Sequence, residues 1–478
     1  MSSNSSTQAE VRVRFAPSPT GLLHIGGLRS ALFNWLWARH NHGQFILRLE
    51  DTDRTRLVPG AEDQIIRSLQ ALGLEPDEGP ELGGEYGPYR QSDRLNMYRE
   101  QAQKLLETGA LYRCWCPPER LTSLREAAQR AGKAFVYDRH CLTAENQSDA
   151  REPHVLRFRI PEAPQSVVWD DAVRGRLSFE TATLDDFVAL KADGYPTYHF
   201  ANVVDDHLMA ISHVLRADEW IPSTPKHLLL FAAFGWEAPV YAHLPAVQGP
   251  TGGKKLSKRD GAQSIEEYVA EGYLPEALRS FLATLGWNDG TTQEVFTTTE
   301  LIAKFNLDRV QKSPARFDKT RLTWVNGKFI RSLQPSELEP RCRGFWPAAA
   351  DTSTADYRQS VLALIQDRLE TLSDVAPLSL FFFEDPELPA DTFDENSIPI
   401  LKAAHTTLST TEFTLNELEQ NLRQLCDQLQ IKPGQLFSPI RLAVTGSKSS
   451  PGLFETLEVI GQASVLRRIK RILDTAQI

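Results

Sequence analysis

Cysteine is scarce in this chain, with five residues among 478. Five cysteines over such a length form no disulfide framework, so the composition favours a reducing compartment such as the cytoplasm. No apolar run approaches the ~18 residues that cross a bilayer, and we therefore expect no membrane partner. Residues 1–10 are rich in serine and lack the charged and then apolar pattern of a secretory signal, which predicts a disordered leader.

Acidic residues outnumber basic ones, with 62 Asp and Glu against 52 Lys and Arg, and the net charge is −10. This balance, taken alone, disfavours a nucleic-acid partner. The charge is uneven, however. Residues 251–333 carry 13 basic and 10 acidic side chains, a net of +3, whereas residues 334–478 carry 13 and 20, a net of −7. The total therefore hides a local basic surplus in the middle of the chain.

The order of predicted elements indicates an α/β fold. Residues 11–15 alternate apolar and basic side chains, as a half-buried strand does, and a loop with several helix breakers (16–21) follows. A predicted helix over 27–40, a strand over 45–49 and a helix over 61–72 continue the series. Strands that alternate with helices at this spacing are typical of a parallel sheet covered by helices on both faces.

Residues 91–197 interrupt this alternation with predicted helices and then strand-like segments, which indicates an inserted α+β subdomain. The alternation resumes at residue 198, and beyond residue 333 one predicted helix follows another. At roughly 150 residues per domain the length predicts about three domains. The expected modules are a leader (1–10), a parallel α/β domain (11–90 and 198–248), the inserted subdomain (91–197), a mostly helical region with a basic loop (249–333) and an all-α module (334–478).

Two loops carry the residue types of nucleotide chemistry. The first, residues 17–27, follows the first predicted strand, and ligands of open parallel sheets bind at the carboxyl ends of strands. Gly26 and Gly27 would let a phosphate or a flat ring approach the backbone, and His24 could donate to phosphate oxygens. An ordinary turn with a surface histidine is the alternative. The spacing of glycines excludes a dinucleotide fingerprint, and the lack of Gly-Lys-Ser/Thr excludes a Walker loop.

The second loop, residues 255–259, follows the last predicted strand and surrounds Ser257 with three cations. Phosphoryl chemistry needs positive charge that meets the charge developing in the transition state. Most basic loops are solvated surface, and this loop alone would be read that way. Its pairing with the His-Ile-Gly loop favours nucleotide chemistry.

The two loops together resemble the HIGH and KMSKS signatures of class I aminoacyl-tRNA synthetases. More narrowly, the chain resembles the bacterial glutamyl-tRNA synthetases. The resemblance runs strongly from residue 12 to 333 and more weakly to the end. The segments that carry it are RFAPSPTG (14–21), RLEDTD (48–53), GPYRQS (87–92), GYPTYHFANVVDDH (194–207), RADEW (216–220), LAVTG (442–446) and PGLF (451–454).

This resemblance implies a Rossmann-like catalytic domain, an inserted acceptor-binding subdomain, a stem-contact region and an all-helical anticodon-binding module. It implies an ATP-dependent glutamate–tRNA ligase that acts in two steps, through glutamyl-adenylate and then transfer to the 3′-terminal adenosine of tRNA(Glu). The implied partners are L-glutamate, ATP and tRNA(Glu), with Mg²⁺ accompanying ATP, and we expect a monomer. Positioning and electrostatics would supply most of the catalysis.

The resemblance also implies roles for particular residues. Arginines would bind the substrate's two carboxylates and Glu50 its ammonium, while Arg216 would favour a side-chain carboxylate over an amide. Without the motifs, Arg14 would be an outward-facing strand residue and Glu50 a turn acid. The expected glutamate-binding residues are Arg14, Ala16, Ser18, Glu50, Tyr198, Asn202 and Arg216. The expected ATP-binding residues are His24, Gly26, Glu219, Val247, Lys255, Leu256, Ser257 and Lys258, among which His24, Lys255 and Lys258 are the expected catalytic groups.

A zinc site is one interpretation of the cysteines in the inserted subdomain. Some family members bind Zn²⁺ through a Cys-x-Cys pair and a later Cys-x-His pair. Cys114, Cys116 and Cys141 match three of these ligands, but Thr143 stands at the fourth position. His140 could replace it, although adjacent ligands strain tetrahedral geometry. The alternative is three reduced, partly buried thiols.

Residues 334–478 resemble the helical anticodon module of bacterial members. Arg368 matches an arginine that reads the last anticodon base in members charging only tRNA(Glu), which predicts a discriminating enzyme. Pairing of Arg368 with a neighbour such as Asp367 is the alternative, as is an enzyme that also charges tRNA(Gln). The basic residues 467–471 are either a solvated face of a packed terminal helix or tRNA phosphate contacts.

The sequence disfavours three alternative functions. A shorter paralogue that modifies a tRNA base lacks the helical module, and a small-molecule adenylyltransferase would have no use for it. A non-catalytic tRNA-binding pseudo-synthetase is disfavoured because His24, Gly26, Lys255 and Lys258 are intact.

Overall fold

The computed structural model describes residues 10–133, 135–162, 165–249, 263–389 and 392–475. Lys255, Leu256, Ser257 and Lys258, which the sequence assigns to the ATP site, lie outside these ranges. Contacts divide the chain into two units. The first comprises Met1–Tyr268 and Leu278–Lys319, and the second comprises Val269–Ala277 and Thr320–Ile478. Residues 320–333 thus group with the helical module, which was expected to begin at residue 334.

Most regular elements follow the predicted order, but in the inserted segment a strand lies between the two predicted helices, where none was expected. The strands are β1 (Arg12–Phe15), β2 (Gln44–Leu47), β3 (Leu111–Cys114), β4 (Val155–Phe158), β5 (Ser166–Asp171), β6 (Gly175–Glu180), β7 (Val188–Leu190), β8 (His213–Ala217), β9 (Val240–Leu244), β10 (Val247–Gln248) and β11 (Ala315–Arg316). The helices up to residue 332 are α1 (Ile25–His40), α2 (Ala61–Ala71), α3 (Leu95–Glu107), α4 (Pro118–Arg130), α5 (Tyr198–Leu208), α6 (Thr224–Phe234), α7 (Ile265–Ala270), α8 (Pro275–Ala283), α9 (Thr298–Lys304) and α10 (Lys319–Ser332). Those that follow are α11 (Pro335–Leu338), α12 (Ala355–Ile365), α13 (Val375–Phe383), α14 (Ser397–Thr410), α15 (Leu415–Leu429), α16 (Pro433–Thr445), α17 (Leu453–Ile460) and α18 (Gln462–Thr475).

A four-stranded sheet of order β2-β1-β8-β9 forms the centre of the first unit, and every neighbouring pair in it is parallel. This confirms the expected parallel sheet. Helix α1 crosses from β1 to β2, and its apolar side chains, among them Leu28, Leu32 and Leu36, are buried. Parallel pairing brings the carboxyl ends of the strands to one edge, where the predicted nucleotide loop begins.

Strand β1 differs from its prediction in exposure. Its four residues are all buried, whereas apolar and basic alternation predicts a half-buried strand. The basic residues are neutralised inside the protein. Arg12 pairs with Glu78 at 2.8 Å, and Arg14 pairs with Asp206 at 3.0 Å. The alternation therefore marks two buried ion pairs.

The inserted segment holds a three-stranded antiparallel sheet of order β3-β4-β7 and a separate β5–β6 hairpin. The hairpin leads back to the parallel sheet, because Ala172 N donates to Tyr241 O on β9 at 2.8 Å. Asp171, the last residue of β5, is thereby brought beside β9. Among the described residues, no helix is both long and apolar enough to span a membrane.

The terminal helix α18 is fixed to the second unit by its arginines. Arg467, Arg468 and Arg471 all face the carboxylate of Asp385, and Arg468, only 2% exposed, also donates to three backbone carbonyls. The hydrogen bond from Arg467 is the main reason that the pKa of Asp385 is held well below its ordinary value; burial opposes this shift and the bond from Arg468 adds to it. These contacts favour the packed-helix interpretation for the three arginines.

Replacing Asp385 with alanine should destabilise the protein by about 2 kcal/mol, because the buried Arg468 would lose the only carboxylate that pairs with it among the described residues. With the folded-state pKa depressed, this contribution is complete above the unfolded value of 3.8 and is lost as the pH falls through the folded value. Urea unfolding of the full chain at several pH values measures it. The matched control is Glu419→Gln, which removes an exposed pair with Arg423. Equal stability of the two variants would contradict the assignment.

Candidate active site

A cleft of about 910 Å³ opens in the first unit at the carboxyl edge of the parallel sheet. Strands β1 and β8, the loop after β1, the segment after β2 and helix α5 all contribute to it. The lining includes nine of the residues expected from the sequence: Arg14, Ala16, Ser18, His24, Glu50, Tyr198, Asn202, Arg216 and Glu219. Gly26 adjoins the lining residue Gly27, whereas Val247 is buried on β10 and is not part of the lining.

Buried charges form the floor of the cleft. Asp206 on α5 accepts from Arg14 at 3.0 Å and from Arg48 at 2.7 Å. Its neighbour Asp205 accepts from Arg94 at 2.7 Å and from the Tyr98 hydroxyl at 2.8 Å. Burial would raise the pKa of Asp206, but Arg14 and Arg48 outweigh it and hold the pKa below its ordinary value. Both arginines are therefore compensated by a carboxylate within the protein.

Glu50 is the acid of this floor that borders the cleft. Its Oε1 accepts from Arg48 at 3.1 Å and from Asn202 at 3.2 Å, and no described residue donates to Oε2. Burial raises the pKa of Glu50 above its ordinary value, although Arg48 and Arg14 oppose the shift. An ammonium group that bound at Oε2 would favour the ionised form and relieve this penalty.

Arg216, on β8, is surrounded by neutral groups. Its donors reach His243 Nε2 and His227 Nδ1, each at 3.2 Å, and the Thr224 hydroxyl at 2.9 Å. The remaining acceptors are the Tyr198 hydroxyl and the Trp220 carbonyl. No carboxylate among the described residues lies within ion-pair distance of it. Arg216 differs in this from Arg14, and its charge remains available to an anionic ligand.

Burial disfavours the charged form of the histidines beside Arg216. Burial lowers the pKa of His227 far below its ordinary value, with Arg216 adding to the effect. Burial likewise lowers the pKa of His199, which contacts His227 at 3.1 Å, to about 3. For His243, burial outweighs the opposing effect of Asp171, and the pKa is also lowered. At neutral pH the imidazoles of His227 and His243 therefore accept hydrogen bonds from Arg216 without repelling its charge.

His24 is the N-cap residue of α1. Its Nδ1 accepts from the Gly26 backbone N–H at 3.2 Å, which places the imidazole proton on Nε2. A Cβ at Gly26 would lie 3.2 Å from His24 Cε1, so glycine leaves room for the ring. The Nε2–H group is a donor of the kind that a phosphate needs.

Similarity to known proteins extends over almost the whole chain. A profile described as the catalytic domain of class I tRNA synthetases (E and Q) matches residues 10–324, and one described as an anticodon binding domain matches residues 328–473. A glutamate–tRNA ligase from Dehalococcoides mccartyi is 46% identical over 473 residues, which cover 96% of each chain. The chain belongs to the glutamate–tRNA ligase family.

Further relatives agree with this membership. The glutamate–tRNA ligase of Moorella thermoacetica is 42% identical, with 97% of this chain and 98% of that protein covered. A crystal structure of a glutamate tRNA ligase from Elizabethkingia meningosepticum, in complex with its amino acid, superimposes with a TM-score of 0.90. It is 34% identical and covers 98% of this chain and all of that one. The class I fold expected from the sequence is thereby confirmed.

The inserted segment of this ligase-family chain gathers three cysteines. The sulfurs of Cys114, Cys116 and Cys141 lie within 4.8 Å of one another, and His140 is not part of the group. The Tyr137 hydroxyl lies 3.3 Å from Cys114 Sγ and 3.2 Å from Cys116 Sγ. The spacing of the cysteines did not predict this contact.

In the second unit, Arg368 is exposed and donates to the Ser450 carbonyl at 2.6 Å. Arg441 reaches the same carbonyl at 3.2 Å. No described carboxylate pairs with Arg368, so the alternative in which Asp367 neutralises it is not what the structure shows. Two guanidinium groups thus converge on one turn of the anticodon-binding module.

Proposed function

We propose that this protein ligates L-glutamate to tRNA(Glu) with ATP. The single observation that carries the proposal is the composition of the cleft, which places an uncompensated Arg216 and the acid Glu50 beside the His24 loop. A glutamate molecule offers complementary groups, namely a side-chain carboxylate for Arg216 and an ammonium for Glu50. Class I ligase chemistry requires ATP, with which Mg²⁺ enters the site.

In the first step an oxygen of the substrate α-carboxylate forms a bond to the α-phosphorus of ATP, and the bond to the departing pyrophosphate breaks. The cleft contributes by positioning, because Glu50 and Arg216 fix the two ends of the amino acid. His24 Nε2–H is placed to stabilise phosphate charge. We assign Lys255 and Lys258 to the leaving pyrophosphate on the basis of the sequence motif.

In the second step a ribose hydroxyl of the terminal adenosine attacks the glutamyl carbonyl, and AMP leaves with the bonding electron pair. The hydroxyl proton passes to a phosphate oxygen of the departing AMP. Because the ribose hydroxyl is itself the nucleophile, no side-chain nucleophile is required. The cleft again acts through orientation and charge. The basic surplus of residues 251–333 supports approach of the tRNA end to this part of the chain.

Selection of glutamate over glutamine rests on Arg216. The neutral acceptors around it leave its positive charge for the ligand, and a glutamine amide would leave that charge unpaired in a buried corner. Discrimination between tRNA(Glu) and tRNA(Gln) is a separate proposal. It rests on Arg368, which is exposed and whose partner is the Ser450 carbonyl and no carboxylate of the described residues, so that its charge is available to a base. The compartment and the monomeric state remain predictions from the sequence.

The function is tested by ATP–pyrophosphate exchange with glutamate, glutamine and aspartate, each with and without tRNA. Of the three amino acids, we expect only glutamate to support exchange, and only when tRNA is present. We also expect the protein to charge tRNA(Glu) but not tRNA(Gln). Absence of exchange under every condition would contradict the enzymatic proposal and favour the pseudo-synthetase. Charging of both tRNAs would refute discrimination and leave the ligase activity intact.

Glu50→Gln should raise the KM for glutamate roughly 10- to 100-fold, because the amide cannot compensate the substrate ammonium. The KM for ATP should not change. Only the ionised carboxylate binds the ammonium, so the wild-type KM for glutamate should rise as the pH falls through the raised pKa of Glu50, above 4.5. The variant should lack this acid limb. Glu62→Gln, which alters a partly exposed pair with Arg90, is the matched control. An acid limb that persists in Glu50→Gln would refute the role.

We further propose that the three cysteines bind zinc, with Tyr137 rather than His140 as the fourth ligand. Sulfurs 2.3 Å from a tetrahedral zinc lie roughly 3.8 Å apart, and those of Cys116 and Cys141 are 3.6 Å apart. The Tyr137 hydroxyl completes the set. Such a site would hold β3 to the segment before β4 and would take no part in the reaction.

The purified protein should contain about one zinc per chain by metal analysis. Cys141→Ser should lose most of it and Tyr137→Phe part of it, because each removes one ligand. Cys342→Ser alters a buried cysteine outside the group and is the matched control. A wild-type protein without zinc would favour the reduced thiols instead.

A further inference from the structure

Two hydrogen-bonded side chains, His243 and Asp171, support Arg216 within the protein. Arg216 Nε donates to His243 Nε2 at 3.2 Å, and His243 Nδ1 lies 2.5 Å from Asp171 Oδ2. All three residues are buried. We propose that Asp171 and His243 are positioning residues that orient Arg216 toward the substrate's side-chain carboxylate and thereby determine selectivity for glutamate. This inference rests on the proposed function, in which Arg216 binds that carboxylate.

The Asp171 carboxylate has one oxygen for the backbone and one for the histidine. Oδ1 accepts from the backbone N–H groups of Val173, Arg174 and His243, at 2.9–3.1 Å. Oδ2 is therefore the oxygen that contacts the imidazole. These bonds connect the turn after β5 to β9, so the backbone of that turn and of β9 sets the position of the carboxylate.

The hydrogen-bond directions allow one tautomer of His243. An ionised carboxylate can only accept, so His243 Nδ1 must carry the proton. Nε2 is then unprotonated and accepts from Arg216 Nε. A doubly protonated imidazole would place two N–H donors against each other at 3.2 Å. Burial, which lowers the pKa of His243, opposes that form as well.

The imidazole keeps the negative charge of Asp171 away from the guanidinium. Asp206 contacts Arg14 directly and compensates its charge, whereas Asp171 reaches Arg216 only through a neutral ring. On the other side of the guanidinium, His227 Nδ1 accepts a hydrogen bond from Arg216. The Nε2 atom of His227 is in turn hydrogen-bonded to His199 Nδ1. Arg216 is thus oriented by hydrogen bonds from two directions while its charge is left for the ligand. A direct carboxylate contact would orient the guanidinium equally well but would reduce its attraction for the substrate.

The test is Asp171→Asn, which retains the Oδ1 acceptor and the side-chain size. The new amide can donate to His243 Nδ1 and so stabilise the Nε2–H tautomer, which opposes Arg216 Nε–H. We expect the KM for glutamate to rise roughly 10- to 100-fold, the size of a lost charged hydrogen bond, and the KM for ATP to stay within about twofold. Selectivity for glutamate over glutamine should fall by a comparable factor.

A matched control separates positioning from stability. Asp186→Asn alters another buried aspartate, one that accepts from Tyr112 and from the Ile160 N–H outside the cleft. It should lower the melting temperature without changing the KM for glutamate.

A double variant adds a second readout. If Asp171 acts through His243, adding Asp171→Asn to His243→Gln should change the KM for glutamate little further. Independent, multiplying effects would overturn the inference.

One measurement needs no variant. The ¹⁵N shifts of the His243 imidazole in the wild-type protein should show protonated Nδ1 and unprotonated Nε2, and the opposite tautomer would overturn the inference. The wild type must first show exchange with glutamate, and without it the proposed function itself fails. If the wild type is active and Asp171→Asn retains the same KM and selectivity, the inference fails while the function stands.

Discussion

Asp205 and Asp206, two neighbours on helix α5, hold together the segments that form the cleft. Through Arg14, Arg48 and Arg94 they connect β1, the end of β2 and the segment before α3. Burying a charge is costly unless it is paired and hydrogen-bonded, so these ion pairs favour one position of each segment relative to α5. The remaining features of the cleft depend on this arrangement, because the residues after β1 and β2 carry the nucleotide loop and Glu50.

The cleft contains arginines of two kinds. Arg14 and Arg48 are compensated within the protein and contribute to its structure, whereas the acceptors of Arg216 in the described part of the chain are all neutral. This difference follows from what lies beside each side chain. Buried imidazoles accept hydrogen bonds as carboxylates do but bring no charge, and Arg216 itself helps to keep them neutral. This difference is the basis of the proposed preference for an anionic substrate side chain.

Much of the fold and of the cleft could be predicted from the sequence, since contiguous motifs place Arg14, Glu50 and Arg216 at the carboxyl ends of strands. The surroundings of the charged side chains could not be predicted correctly. The alternation in β1 predicts a solvent-facing side, but Arg14 faces Asp206, 192 residues away. Asp171 could not be found either, because its role arises only when the β5–β6 hairpin meets β9. Residue types and local spacing are read directly from a sequence, whereas contacts across the fold are not.

The central claim is that Arg216 carries an uncompensated charge for the substrate's side chain while Glu50 receives its ammonium. The most direct measurement is a crystal structure of this protein with a non-hydrolysable analogue of glutamyl-adenylate. The account predicts the side-chain carboxylate within hydrogen-bond distance of the Arg216 guanidinium and the ammonium on Glu50, with His243 still bonded to Arg216. A side-chain carboxylate bound at Arg14, with Arg216 turned away from the ligand, would contradict it.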